Sequence, residues 1–404
     1  MEIHLHLQFT ARAAVEGLTS DTAQEVTATI ATTEKTTRFG YINTQRLKND
    51  RQSSHLRLGS NWTSKSSSSE DDSQEYSSEL PEASTSKPDV PKAVKNWPQK
   101  DLKLGQVSGV AVNSHLQPVV FHRADRVWDE NTFNSTHHYL QKHLGPIKDD
   151  TVLTLDSKTG SIVGRWGANL FFLPHGLTID RHNNLWVTDV ALHQAFKFRP
   201  GDNYPSLTFG IPFQPGPGIR HLCKPTSIAV ASTGEIFIAD GYCNSRILKY
   251  NAAGGLLRVI PNPPEFLSLV VPHGLALIES LDRLCVADRE NMRVTCPRAG
   301  LYSTKGETEP ALTIQQPDMG RVFGVAAKGN LVYAVNGPTS FLLPVQGMTI
   351  DPQSETVIDH WAPEEGFGNP HAIAVCPNGS ALYVAEIGPN KIWKFELVPP
   401  KKKK

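Results

Sequence analysis

The sequence predicts an all-β protein: a six-bladed β-propeller preceded by a disordered N-terminal segment. Three observations carry this expectation. One short phrase returns six times at blade-sized intervals, turn residues punctuate the chain throughout, and the first 95 residues differ in texture from the rest. Gly 30 and Pro 29 make up about 15% of the 404 residues, which favours many tight turns over long helices.

In chain order, the N-terminal segment comes first. Residues 51–90 hold 13 serines, the acidic patch Glu70-Asp71-Asp72 and hardly any branched apolar side chains. Such a stretch buries too little surface to offset the entropy of ordering it, so disorder is expected. Residues 1–50 are Thr-rich and weakly patterned, and 1–95 is read as one disordered Ser/Thr-rich segment. Its start, Met1-Glu2-Ile3-His4-Leu5-His6-Leu7, lacks the basic and continuous apolar regions of a signal peptide. Residues 399–404, ending in Lys401–Lys404, form a short basic tail.

The expected propeller occupies 96–398. Its phrase appears as Val107-Ser108-Gly109-Val110-Ala111-Val112, Pro174-His175-Gly176-Leu177-Thr178-Ile179 and Pro225-Thr226-Ser227-Ile228-Ala229-Val230. It returns as Pro272-His273-Gly274-Leu275-Ala276-Leu277, Val322-Phe323-Gly324-Val325-Ala326-Ala327 and Pro370-His371-Ala372-Ile373-Ala374-Val375. Aligned on the third residue, the intervals are 67, 51, 47, 50 and 48 residues. From the second copy on, a turn and a second strand follow, ending in a small or polar corner, as in Leu185-Trp186-Val187-Thr188-Asp189 and Ile236-Phe237-Ile238-Ala239-Asp240. A third strand follows in places, such as Arg246-Ile247-Leu248-Lys249-Tyr250. Several short strands per unit of 40–50 residues are the mark of NHL-like propeller blades. The long first interval leaves room for an insertion near 129–150.

Charge and hydropathy narrow the function. Lys+Arg 40 against Asp+Glu 40 gives no net charge, which argues against a nucleic-acid partner or an anionic membrane surface. No apolar run approaches the roughly 18 residues of a spanning helix, and a monomer is expected.

His175, His273 and His371 hold the same place in copies two, four and six, 98 residues apart each time. On a six-bladed ring, equivalent positions on alternate blades are a third of a turn apart. If they begin the innermost strands, three imidazoles converge on the axis. Three neutral nitrogens with an open position match a catalytic zinc site. The other copies carry Ser108, Thr226 and Phe323 there, so histidine is not simply the repeat consensus. His122, His193 and His221 are read as structural or surface residues.

Of five cysteines, Cys223 with Cys243 and Cys285 with Cys296 are spaced as plausible staples, leaving Cys376 as a buried hydrophobe. Asn61, Asn134 and Asn378 begin glycosylation sequons. Together these lean toward an oxidising compartment, secretory or secreted.

Several strings resemble the peptidyl-α-hydroxyglycine α-amidating lyase domain. They are Leu173-Pro174-His175-Gly176-Leu177, Trp186-Val187-Thr188-Asp189-Val190-Ala191-Leu192-His193-Gln194, Asp240-Gly241-Tyr242-Cys243-Asn244-Ser245-Arg246 and Cys285-Val286-Ala287-Asp288-Arg289-Glu290-Asn291. Phe121-His122-Arg123 with Val127-Trp128-Asp129 belongs with them, and the resemblance runs from about 103 to 396. It implies a stand-alone lyase that cleaves the N–Cα bond of peptides ending in α-hydroxyglycine, giving a peptide amide and glyoxylate in peptide-hormone maturation. Its substrate would come from a separate peptidylglycine monooxygenase.

The resemblance further implies Zn2+ on His175, His273 and His371, and Tyr242 as the catalytic tyrosine. Arg123 and Arg289 match active-site arginines, without a division of roles. The pairs Cys223–Cys243 and Cys285–Cys296 match the family's two disulfides. It also implies an axial Ca2+ on the backbone carbonyls of Val110 and Leu177 and on an aspartate directly after the third histidine. That position here is Ala372, and Asn369 stands where a methionine is usual. Loss of a carboxylate counts against a hard-cation site. The alternatives are a non-catalytic or degenerate propeller that binds a protein or peptide partner, and a calcium-dependent propeller hydrolase. Imidazoles on the axis argue against the second.

Overall fold

The computed structural model describes residues 88–262, 267–302 and 309–400. Most of the segment expected to be disordered, the Asn61 sequon and the Lys401–Lys404 tail lie outside the described residues. The rest forms six four-stranded antiparallel sheets, the propeller that the repeat predicts.

Blade one comprises Val107–Val112, Pro118–His122, Val152–Leu155 and Ile162–Trp166, and blade two Pro174–Ile179, Leu185–Asp189, Gln194–Phe198 and Leu207–Phe209. Blade three comprises Ser227–Val230, Ile236–Asp240, Arg246–Tyr250 and Leu256–Ile260, and blade four Pro272–Ile278, Arg283–Asp288, Arg293–Cys296 and Leu312–Ile314. Blade five holds Val322–Lys328, Leu331–Asn336, Gly347–Asp351 and Thr356–Trp361. Blade six holds Pro370–Val375, Ala381–Glu386 and Lys391–Val398 and takes its outermost strand from the other end of the chain, Val90–Ala93. The expected boundary at 95/96 is therefore corrected. Residues 90–93 pair with Phe395–Val398 and close the ring. The expected insertion near 129–150 lies between the second and third strands of blade one.

The second strand of each sheet is buried on both faces, which explains apolar runs where a surface sheet would alternate. In Ile236-Phe237-Ile238-Ala239, the isoleucines join the cluster shared with blade two, and Phe237 and Ala239 the cluster shared with blade four. Equivalent clusters fill the other four blade interfaces. The cores thus radiate between blades and leave the axis to the inner strands.

Two local devices fix the axial phrase. The first is a register shift at the phrase in five blades, between Val107/Gly109, Pro174/Leu177, Pro272/Leu275, Val322/Gly324 and Pro370/Ala372. A bulge inserts an unpaired residue and re-aims its neighbours. It therefore turns the histidine position out of the ladder and toward the axis. The second is the buried polar corner ending each second strand. Asp189 accepts N–H bonds from Phe172 (2.7 Å) and Leu173 (3.0 Å), just ahead of the blade-two phrase, and from Ala191 and Leu192 (both 2.9 Å). Asp240 accepts from Cys223, Asp288 from Val270 and Glu386 from Gly368 and Asn369. Each corner ties down the strap that enters its own inner strand.

Two disulfides, Cys223–Cys243 and Cys285–Cys296, join the expected pairs, and Cys376 is free and buried. Asn134 and Asn378 are exposed. No helix among the described residues is long and apolar enough to cross a membrane.

Candidate active site

His175, His273 and His371 each sit second in an inner strand, and all three are buried. Their ring centroids are 4.9, 4.9 and 4.7 Å apart. The 98-residue spacing in the chain thus corresponds to one cluster in space.

Their tautomers follow from their neighbours. His175 Nδ1 lies 2.9 Å from the Thr226 carbonyl, His273 Nδ1 2.7 Å from that of Phe323, and His371 Nδ1 2.8 Å from that of Ser108. A carbonyl only accepts, so each Nδ1 carries the proton and each Nε2 offers a lone pair. Thr226, Phe323 and Ser108 are the residues that replace histidine in the odd copies. Even blades thus supply imidazoles and odd blades the carbonyls that orient them. Gly176 permits the approach, because a Cβ there would fall 2.4 Å from the Thr226 oxygen. Burial first, and the neighbouring charges second, hold His175 and His273 well below the usual imidazole pKa and bring His371 down to about 3. Neutral, buried nitrogens that face one another, their Nδ1 atoms already hydrogen-bonded, fit a tetrahedral metal such as zinc. His137 with Cys223 and Cys243 also cluster, but there the sulfurs are committed to a disulfide.

Tyr242 stands in the helical turn Gly241–Asn244 that follows the Asp240 corner. Its hydroxyl is 3.1 Å from His175 Nε2 and 3.3 Å from His273 Nε2. Burial raises its pKa, opposed by the charges of Arg289 and Arg123. Its ring packs 4.8 Å from Trp128, just ahead of the insertion.

The two arginines differ in what they have left to offer. Arg123 is 1% exposed, and burial brings its pKa down to about 10. Its Nε donates to the Pro174 carbonyl (2.9 Å) and Nη1 to Gln106 (2.7 Å), while Nη2 is buried without a partner. Arg289 lies over the rings of Tyr242 and Phe323, 5.1 Å from each centroid, and ion-pairs with Glu290.

The three histidines also line an axial cavity of about 70 Å³. Val110 and Leu177 line it as the resemblance implies, with Ala372 and Ile373, and no carboxylate does. Ala372 packs into the apolar cluster between blades six and one. This lining does not fit calcium, which takes six to eight oxygen ligands and favours carboxylates.

His122 and His193 are structural, as expected. Each accepts backbone N–H bonds at Nδ1, His122 from Gly105 and Ala124 and His193 from Lys224. Trp128, Phe323, Glu290 and the three orienting carbonyls carry no role that the sequence alone assigns. Phe323 was within reach, since it fills the histidine position of the fifth copy. The carbonyls leave no mark in the side-chain sequence.

Fold and site together define a six-bladed propeller enzyme with a buried three-imidazole centre beneath a tyrosine hydroxyl. Residues 222–250 and 269–296 match the NHL repeat. The chain is 63% identical over 312 residues to peptidyl-alpha-hydroxyglycine alpha-amidating lyase 2 of Drosophila melanogaster, covering 76% of each protein. It is 41% identical over 323 residues to lyase 1 of the same species, covering 74% of this chain and 58% of that one. With the peptidylglycine alpha-amidating monooxygenase of Rattus norvegicus it shares 43% over 316 residues, 75% of this chain but 31% of the relative. The chain belongs to the peptidyl-alpha-hydroxyglycine alpha-amidating lyase family and is a lyase.

Proposed function

We propose that this lyase is zinc-dependent and cleaves the N–Cα bond of peptides ending in α-hydroxyglycine, releasing the peptide amide and glyoxylate. In this reading it follows a separate peptidylglycine monooxygenase in the maturation of neuropeptides and peptide hormones. The observation that carries it is the Tyr242 hydroxyl seated over two of three inward-facing Nε2 atoms, in a chain of this family. A secretory location is supported by the two disulfides.

Held by His175, His273 and His371, zinc supplies Lewis acidity that lets an alcohol lose its proton near neutral pH. Tyr242 Oη, with the flanking arginines opposing the burial that raises its pKa, takes the proton of the substrate's α-hydroxyl. The electron pair left on that oxygen closes a C=O bond and the N–Cα bond breaks. The departing amide nitrogen then receives the proton back from Tyr242, so no proton is gained or lost overall. Arg123 offers the open Nη2 donor and takes the terminal carboxylate. Arg289, its Nε and Nη2 already on Glu290, steadies the tyrosinate instead. The axial cavity contributes no calcium ion to this reading.

The test uses the purified full chain and a short peptide ending in α-hydroxyglycine, with amide and glyoxylate followed by mass spectrometry. Conversion above the spontaneous rate, lost with a chelator, restored by zinc and absent in His273→Ala, is expected. A zinc-loaded protein that converts no peptide would overturn the reading.

A further inference from the structure

We propose that Glu290 and Arg321 are positioning residues for the lyase reaction. They hold the Arg289 guanidinium on Tyr242 and close its side edge to the substrate's carboxylate. The proposal rests on the lyase reading above.

Arg289 opens the short turn Arg289–Asn291 that follows the second strand of blade four. Its guanidinium lies between the rings of Tyr242 and Phe323. Ring faces fix the tilt of a planar group, but they leave it free to turn within its own plane. Glu290 removes that freedom. Its Oε1 accepts from Nε of Arg289 at 2.9 Å and lies 2.9 Å from Nη2. Its Oε2 accepts from Nε of Arg321 at 3.0 Å.

Arg321 comes from the strap entering blade five, and its backbone is pinned. Its N–H donates to Thr339 Oγ1 at 2.8 Å, and its carbonyl accepts from Gly337 at 3.0 Å. One carboxylate therefore joins arginines from two neighbouring blades. A carboxylate is recognised by paired N–H groups along one edge of a guanidinium. Glu290 occupies the Nε/Nη2 edge, which separates the work of Arg289 from that of Arg123.

The charge of Glu290 works against a tyrosinate at Tyr242, so position and charge predict opposite results. With the zinc-loaded full chain and an α-hydroxyglycine peptide, Glu290→Ala is expected to lower kcat by about 10- to 100-fold. KM should stay within about threefold, because the residue binding the carboxylate is untouched. Glu290→Gln keeps an acceptor oxygen and should fall between wild type and Glu290→Ala. Arg321→Met should lower kcat less than Glu290→Ala. In an Arg289→Met background, Glu290→Ala should cost nothing further, as expected of residues that act as a unit.

A Glu290→Gln variant faster than wild type would show that charge governs and sink the proposal. So would a Glu290→Ala loss that persists undiminished without Arg289. A wild type that turns over no peptide would remove the lyase reading and this proposal with it, whereas active wild type with indifferent variants removes this proposal alone.

Discussion

The two disulfides share their chemistry but differ in what they hold. Cys223–Cys243, with a sequence separation of 20, ties the strap entering blade three to the turn that carries Tyr242. Cys285–Cys296, with a separation of 11, joins the second and third strands of blade four. On a chain-entropy basis the two closures are worth about 3.3 and about 2.8 kcal/mol at 25 °C. For an ordered region of about 310 residues, that corresponds to roughly 5 and 4 °C in Tm. Stability alone barely separates them, and activity should separate them clearly. Cys243 adjoins Tyr242, so its release frees the turn that seats the hydroxyl, and a displacement near 1 Å costs up to about 100-fold. Between Cys285–Cys296 and Arg289, by contrast, the ladder pairs Val286↔Thr295, Ala287↔Val294 and Asp288↔Arg293 stay in place. Thermal unfolding and initial rates would be measured for the two double alanine variants. Cys223→Ala/Cys243→Ala should lose kcat by about tenfold or more, and Cys285→Ala/Cys296→Ala no more than about twofold. Equal kcat for the two variants would refute the assignment of the first disulfide to the site.

Three further outcomes are expected. Asp189→Ala leaves three buried N–H groups and the half-buried one of Phe172 without their acceptor and should cost about 3 kcal/mol or more in urea unfolding, with Asp189→Asn costing roughly half; a loss below about 1 kcal/mol would contradict the corner's role. The wild-type Tm should be indifferent to calcium or its chelator, whereas Ala372→Asp should gain calcium-dependent stability, about 2.7 kcal/mol at a hundredfold excess over Kd; a wild-type Tm that falls on calcium removal would show that the cavity lining holds the ion after all. A chain beginning at Pro88 should melt several degrees above one beginning at Trp97, which lacks Val90–Ala93 and the Asp89–Lys328 ion pair and exposes the edge of blade six; equal melting would mean that the closing strand contributes little.

What the sequence revealed follows from what repeats. Every blade must present the same phrase to the axis, so six copies and the 98-residue histidine spacing were visible without any structure. Val90–Ala93 was not, because a closing strand lies some 300 residues from its blade and Val90-Pro91-Lys92-Ala93 carries no alternation of its own. Tyr242 and the arginines were reachable only through family resemblance. Tyr242 follows a corner shared by several blades, and nothing local distinguishes it from a surface tyrosine. The orienting carbonyls and the Glu290 fork belong to the packing of one blade on the next, which no single segment encodes.

That dependence on neighbours couples the site to closure of the ring. A single blade can aim an imidazole with its bulge, but it cannot fix the tautomer, because the acceptor carbonyl sits on the next blade. Two of the three pairs, His175 with Thr226 and His273 with Phe323, join blades consecutive in sequence. The third, His371 with Ser108, joins blade six to blade one across 263 residues of chain. Blade six is complete only when Val90–Ala93 pairs with its C-terminal strand. Loosening that outermost strand therefore reaches the axis through His371, although the strand itself lies at the rim. A ring open at this seam would still present His175 and His273 correctly, but the third Nε2 would be free to turn away, and two imidazoles do not make the three-ligand site proposed for zinc.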